Sequence, residues 1–245
     1  VESPLLKKCK ETKARMFVHL KTKTIYSLLE GAIFAKALAD QCCKFKMPAV
    51  GIADRANLFG ALEFSEVLSD NGIQPIIGCQ LPMSLKEADL KKLRATDRIS
   101  MLFLATNELG YRNLMELSSK FFLNDTYRFE GMSIREIDKF SDGLICLSGG
   151  DESPINNLLR DNKIKEAENF LLHFKRTFGD RFYLEMNRHP LGDNYSKKVN
   201  IEDNILDLAD KHRLPLVATN DVYFLEKELH QPVSYTHLRA HETDY

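Results

Sequence analysis

Seven short apolar runs, nearly all followed by a stretch with helical spacing, constrain this chain more than any other feature. They fall near residues 17–20, 49–53, 75–80, 100–106, 143–148, 182–187 and 215–219. Two of them, Ala49-Val50-Gly51-Ile52-Ala53 and Pro215-Leu216-Val217-Ala218-Thr219, are continuous and apolar, as a parallel strand covered on both faces requires. The intervening periodicity predicts helices over 28–45, 109–122, 164–178 and 197–212. Gly72, Gly143 and Gly179 stand where helices or turns should stop. Strands and helices in that alternation, joined by right-handed crossovers, predict a doubly wound sheet or a closed α/β barrel.

The 245 residues suffice for one large domain or two small ones, and no Pro/Gly-rich linker divides them. A formal net charge of −1 gives the whole chain no electrostatic drive toward nucleic acid or membrane. The basic cluster Lys7, Lys8, Lys10, Lys13 and Arg15 reads as a solvated tail. The five cysteines (Cys9, Cys42, Cys43, Cys79, Cys146) are odd in number and lack a Cys-x-x-Cys pair. That pattern fits reduced thiols and a cytoplasmic location, not a disulfide framework. Cys79 and Cys146 lie inside apolar runs and read as small core residues. No apolar run approaches the ~20 residues of a membrane span, and no secretory signal is expected.

Both ends read as foreign to the body of the chain. Met16 directly precedes the first run, so residues 1–15 are expected to form an upstream, disordered tail. Residues 231–245 lack an apolar period and are set aside as a foreign or disordered tail, leaving one domain over 16–230. His237 and His241 are four residues apart, but no third ligand accompanies them.

A series of motifs runs through the body in order. Phe17-Val18-His19-Leu20-Lys21-Thr22-Lys23-Thr24-Ile25-Tyr26-Ser27-Leu28-Leu29-Glu30-Gly31 reads as strand, turn and helix start. Gly51-Ile52-Ala53-Asp54-Arg55 leads to Asn57-Leu58-Phe59-Gly60, which opens a helix. There follow Gly72-Ile73-Gln74-Pro75-Ile76-Ile77-Gly78-Cys79-Gln80, Gly110-Tyr111-Arg112-Asn113-Leu114, Ser148-Gly149-Gly150, Glu185-Met186-Asn187-Arg188-His189 and Ala218-Thr219-Asn220-Asp221-Val222-Tyr223. Taken in this order, they resemble the PHP domain (polymerase and histidinol phosphatase) over roughly residues 16–230. Gly-Tyr-x-Asn-Leu and Ala-Thr-Asn-Asp resemble the branch found at the N-terminus of bacterial replicative DNA polymerase III alpha subunits.

The resemblance implies a distorted seven-stranded (β/α)7 barrel, in agreement with the strand count. It also implies a mouth where active members hold several metal ions with His, Asp, Glu and Cys, polarising phosphoryl oxygens and acidifying bound water. Carried over, Lys21 and Lys23 replace the first His pair, Arg55 a His, Gln80 a Glu, Ser100 a His, Gly150 a Cys and Tyr223 the last His. Asp54, His189 and Asp221 remain as vestigial ligand positions. Lysine and arginine nitrogens carry protons at neutral pH and do not ligate metals, so neither metal nor catalytic residues are expected here. Lys21 and Lys23, two apart on a strand, should face the same way. They are expected to stand in for the lost cations and to pair with Asp54 and Asp221.

His19, on the same face, is expected to make a structural hydrogen bond, and His173 and His212 to lie at the surface or rim. Ser148-Gly149-Gly150 reads as a turn rather than a phosphate nest. By resemblance, the parent protein would synthesise DNA from dNTPs with Mg²⁺ in a polymerase core that this stretch does not contain. The domain itself would be a silent platform that packs on that core, docks the separate proofreading exonuclease and reaches DNA through the holoenzyme. The rival expectation is a metal-dependent phosphoesterase or 3′–5′ exonuclease.

Overall fold

The computed structural model describes residues 17–84, 99–187 and 195–226. The tails at 1–15 and 231–245, and His189, lie outside the described residues. Six strands form one sheet in chain order: β1 (Ala49–Arg55), β2 (Gln74–Pro82), β3 (Ser100–Ala105), β4 (Leu144–Leu147), β5 (Phe182–Met186) and β6 (Leu216–Ala218). Eight α-helices accompany them: α1 (Ala35–Lys44), α2 (Ala61–Asp70), α3 (Glu108–Leu123), α4 (Asp125–Glu130), α5 (Ile134–Lys139), α6 (Pro154–Arg160), α7 (Ile164–Phe178) and α8 (Tyr195–His212).

The predicted seventh strand over 17–20 is absent as a strand among the described residues. Instead the segment just after it makes isolated bridges: Thr22 pairs with Ile52 of β1 on one side and with Val222, beyond β6, on the other. Thr22 N–H donates to Gly51 O at 3.2 Å, and Lys23 N–H donates to Val222 O at 2.8 Å. One short segment therefore touches both edges of the sheet, and the sheet curls to meet it.

Strand direction also departs from the expectation. β1–β2, β4–β5 and β5–β6 are parallel, but β3 runs antiparallel to both β2 and β4. A strand buried on both faces reads as the same apolar run whichever way it points, so the run at 100–106 carried no directional signal. The continuous run at 215–219 does not become a covered strand either: in β6, Leu216 remains 42% exposed.

The helix expected over 28–45 begins only at Ala35. Residues 24–31 form turns closed by Ser27 N–H to Thr24 O and by Glu30 and Gly31 N–H to Ser27 O. Gly31 is required in this turn, because a Cβ there would lie 2.2 Å from Thr24 O. Leu28 and Leu29, counted toward the helical stripe, are exposed, and Leu29 adopts φ 64°, a region unfavourable to bulky side chains. The other predicted helices hold. In α7, Ala167, Phe170, Leu171, Phe174 and Phe178 recur at three- and four-residue spacing and are all buried.

Period-two alternation sorts the strands into two faces. Outward residues Cys79, Leu81, Met101, Phe103, Leu144, Cys146, Phe182 and Leu184 pack into the large cluster shared with α3, α6, α7 and α8. Inward residues Ala53, Leu102, Leu104 and Leu147 form a small apolar plug, with Leu20, Ile76, Ile145, Tyr183 and Val217 against it. One step further along the same inward face, at one end of the sheet, the side chains turn polar.

Candidate functional site

The polar end is built by continuing that alternation: Ala53 to Arg55, Gly78 to Gln80, Leu102 back to Ser100, Tyr183 to Glu185, and Val217 to Thr219. β3 contributes its first residue, not its last, because it runs the other way. Lys21 and Lys23 enter from the bridging segment, Glu152 from the 3₁₀ turn Gly150–Glu152, and Asp221 from the chain after β6.

Lys21 is fully buried and anchors one half of this mouth. Its Nζ lies 2.9 Å from Asp221 Oδ1 and 3.2 Å from Glu185 Oε1, and donates to Gly149 O at 3.2 Å. Burial alone would weaken the ammonium, but the charges of Glu185 and Asp221 outweigh it and hold Lys21 above its ordinary range. Both carboxylates have further donors. Glu185 accepts from Thr219 Oγ1 at 2.5 Å and Gly149 N–H at 3.1 Å, and Asp221 accepts from Asn187 Nδ2 at 3.0 Å.

Arg55 anchors the other half. It donates through Nε to Glu30 at 2.8 Å and through Nη2 to Glu152 at 3.1 and 3.2 Å. Glu152 Oε2 also accepts from Ser100 Oγ at 2.6 Å and Gln80 Nε2 at 3.0 Å. Desolvation opposes the guanidinium charge, but Glu152 and Glu30 overcome that and raise the Arg55 pKa. Three of the positions where a metal ligand was replaced are thus joined to one carboxylate.

Lys23 departs from its expected role. Lys21 pairs with Asp221 as anticipated, but Lys23 does not pair with Asp54. Asp54 is claimed by its neighbours in the turn: Thr24 N–H at 2.8 Å, Thr24 Oγ1 at 2.7 Å and Ser27 Oγ at 2.6 Å. Lys23 is 1% exposed, and its Nζ has no hydrogen-bond partner among the described residues. Burial, then the charge of Arg55, pushes its pKa down to about 8, with Glu30 opposing. Gln80 Oε1, on the same mouth, is likewise buried without a partner.

The remaining expectations divide. Cys79 and Cys146 are core residues, and burial pushes the Cys79 thiol up to about 12 and Cys146 well above its ordinary value. They are protonated and inert as nucleophiles. The Ser148–Gly150 segment is a turn, with Gly149 at φ 104° and Gly150 at φ 59°, and the Gly149 amide is committed to Glu185. His173 and His212 are more than rim residues: each is partly buried against a carboxylate, Asp138 at 3.0 Å and Glu168 at 2.6 Å respectively. The hydrogen bond expected of His19 is not seen at Nδ1, which is buried without a partner among the described residues. Sequence reasoning did not single out Glu30, Glu152, Glu185, Asn187 or Thr219. Glu185 carried a usable signal, since a carboxylate inside an apolar strand is rarely buried without a partner.

A multinuclear metal centre does not fit these residues. Lys21 occupies the two carboxylates that could share an ion, and Arg55 occupies a third. Among the described residues, no group of three or more His, Cys, Asp or Glu side chains could hold a metal ion.

Together, the curled α/β sheet and the polar mouth at one end of it define an α/β domain with its candidate site at the strand ends. The chain belongs to the PHP domain family, whose sequence pattern it matches over residues 19–189. It is similar to the DNA polymerase III subunit alpha of Caulobacter vibrioides, with 44% identity over 85% of this chain and 18% of the relative. It is also similar to the protein of that name from Borreliella burgdorferi, with 34% identity over 86% of this chain and 18% of the relative. The chain thus spans under a fifth of the length of these relatives.

Two solved structures share the fold. One is a Bifidobacterium adolescentis protein described as a metal-dependent phosphoesterase, with TM-score 0.51 and 13% identity, covering 88% of this chain and 91% of that one. The other is an amidohydrolase from Chromobacterium violaceum with bound sulfate and no metal, with TM-score 0.51 and 11% identity, covering 84% of this chain and 87% of that one. Among the described residues, no helix is long and apolar enough to cross a membrane.

Proposed function

We propose that this chain is the N-terminal PHP portion of a DNA polymerase III alpha subunit and serves there as a catalytically silent structural module. The observation that carries the reading is Lys21: its ammonium fills the place between Glu185 and Asp221 that a metal cation would need. The curated relatives, named as alpha subunits, supply the context. On this reading, template-directed DNA synthesis with Mg²⁺ and dNTPs belongs to a polymerase core outside the present residues. The module packs on that core, offers a docking surface to the proofreading exonuclease and meets DNA only as part of the assembled enzyme. The 19–23 segment, bonded to both β1 and the chain beyond β6, acts as the seventh wall of a (β/α)7-like barrel.

The test is hydrolysis by the purified chain. With Mn²⁺ or Zn²⁺ present, no phosphate should leave a phosphomonoester and no nucleotide a primer 3′ end. Metal-dependent release that disappears in Asp221→Ala would replace this reading with that of a PHP phosphoesterase or 3′–5′ exonuclease. Failure of the exonuclease subunit to co-purify with the alpha subunit would remove the docking role alone.

A further inference from the structure

Six large apolar side chains stand in solvent beside the polar mouth. Leu28 and Leu29 lie on the 24–31 turn, Phe59 and Leu62 flank the start of α2, and Phe122 and Leu123 close α3. Each is 43% exposed or more. The elements that carry them are tied together. Asn57 Nδ2 donates to Tyr26 O at 3.0 Å, Tyr26 Oη to Glu63 at 2.9 Å and Ser118 Oγ to Ala56 O at 2.8 Å. The rings of Phe59 and Phe122 stack with their centroids 6.2 Å apart. Leu29 is held in water at φ 64°, so a bulky apolar residue stands where neither its side chain nor its backbone is favoured.

Clustered exposed apolar side chains mark a contact surface, and the charges around them select what it contacts. α2 carries Glu63, Glu66 and Asp70 with no Lys or Arg, and Glu66 lies one turn from Leu62 on the same face. α4, which follows Phe122 and Leu123, adds Asp125 and Glu130 against a single Arg128. Nucleobases could stack on Phe59 and Phe122, but their phosphates would meet these carboxylates. A second copy related by a twofold axis would set the acidic face of α2 against itself. The surface therefore suits a protein segment with apolar anchors and Lys or Arg beside them. The matched stretch is 18% of the Caulobacter vibrioides relative, so most of such a polypeptide lies outside it. A segment of that same polypeptide is present once per module and at high effective concentration. We propose that Leu28, Leu29, Phe59, Leu62, Phe122 and Leu123 dock a basic, apolar segment of the alpha-subunit polypeptide from beyond the present residues. This inference rests on the alpha-subunit reading, to which it adds the face that is covered and the chemistry that covers it.

The experiment is hydroxyl-radical footprinting, read by mass spectrometry, of the 245-residue chain and of the full-length alpha subunit that carries it. Phe59, Leu62 and Phe122 should oxidise freely in the short chain. In the full-length subunit, a surface covered about nine-tenths of the time should oxidise about tenfold more slowly. Leu62→Asp combined with Glu66→Lys removes an anchor and reverses a charge at exposed positions, so the Tm of the short chain should stay within about 3 °C. In the full-length subunit the same pair should return Phe59 and Phe122 to the short-chain rate. Equal oxidation in the two proteins would overturn this inference and leave the alpha-subunit reading standing. A reading frame that stops without a polymerase core would overturn both. Protection that survives the double variant, or that appears in the short chain at raised concentration or with single-stranded DNA, would overturn it in favour of another contact.

Discussion

Lys21 and Asp221 meet at 2.9 Å across the seam of the sheet, an ammonium against a carboxylate whose side chains are 1% and 13% exposed. Lys23, two residues along the same strand-like segment, has no such partner among the described residues. The pair behaves as two opposite experiments within one segment.

Removing the paired lysine should be costly. Lys21→Met leaves the buried Glu185 and the half-buried Asp221 without their counter-ion, and breaking a buried ion pair from one side costs about 3–5 kcal/mol. Urea denaturation at pH 7 should show that loss. Adding Asp221→Asn to Lys21→Met should return part of it, because one stranded charge is removed; strictly additive losses would mean that the two residues do not interact.

Removing the unpaired lysine should do the reverse. A depressed folded-state pKa means the folded protein disfavours the ammonium, so the penalty is full below about pH 8 and fades as pH rises toward the unfolded value of 10.5. The difference corresponds to about 3 kcal/mol. At pH 7, Lys23→Met should be more stable than the parent by that order, and the advantage should shrink between pH 8 and 10.5. A Lys23→Met protein that melts lower at pH 7 would show that a counter-charge for Lys23 has been missed.

The turn that follows Lys23 has no room for a methyl group at Gly31. In Gly31→Ala the new Cβ would sit 2.2 Å from Thr24 O and 2.7 Å from the Lys23 carbonyl carbon, all backbone. The turn must open, at a cost of about 1–3 kcal/mol. Because Asp54 is held from this turn, loss of amide-exchange protection at Thr24 should accompany the drop in Tm.

Leu29 offers the opposite change. Its left-handed backbone costs a bulky residue about 1 kcal/mol, and its exposed side chain holds nothing in place. Leu29→Gly removes that strain but adds unfolded-state entropy, so the net gain should be at most about 1 kcal/mol. A chemical melt should place the variant at or above the parent, whereas a clear loss would mean that Leu29 packs in solution.

Chelation should leave the domain untouched. With Lys21 and Arg55 holding the carboxylates of the mouth, EDTA should not move the Tm, and added Zn²⁺ or Mn²⁺ should not raise it. A metal-dependent rise of several degrees would mean that the lysines yield to an ion.

Much of this fold was legible because burial writes itself into apolar runs. Cys79, Cys146 and the Phe170–Phe174–Phe178 stripe could be placed in the core from spacing alone. The direction of β3 could not, since apolar periodicity has no arrow. The pairing of Lys21 with Asp221 was readable from strand parity and family position. The isolation of Lys23 was not, because it depends on which donors reach Asp54 first. Thr24 and Ser27 win that competition through a tight turn, and a turn was hidden under what looked like the first two leucines of a helix. Glu152 escaped notice for a related reason: it sits on a 3₁₀ turn rather than on a strand, where alternation has nothing to say.

The hydrogen bond from Lys23 N–H to Val222 O joins places almost a whole domain apart in sequence. A nascent polypeptide leaving the ribosome can complete its helices and pair its middle strands early, but this clasp must wait for the last of them to emerge. Until then the ammonium of Lys21 has no Asp221 to meet, and the unfinished shell exposes its charged rim to the surrounding water.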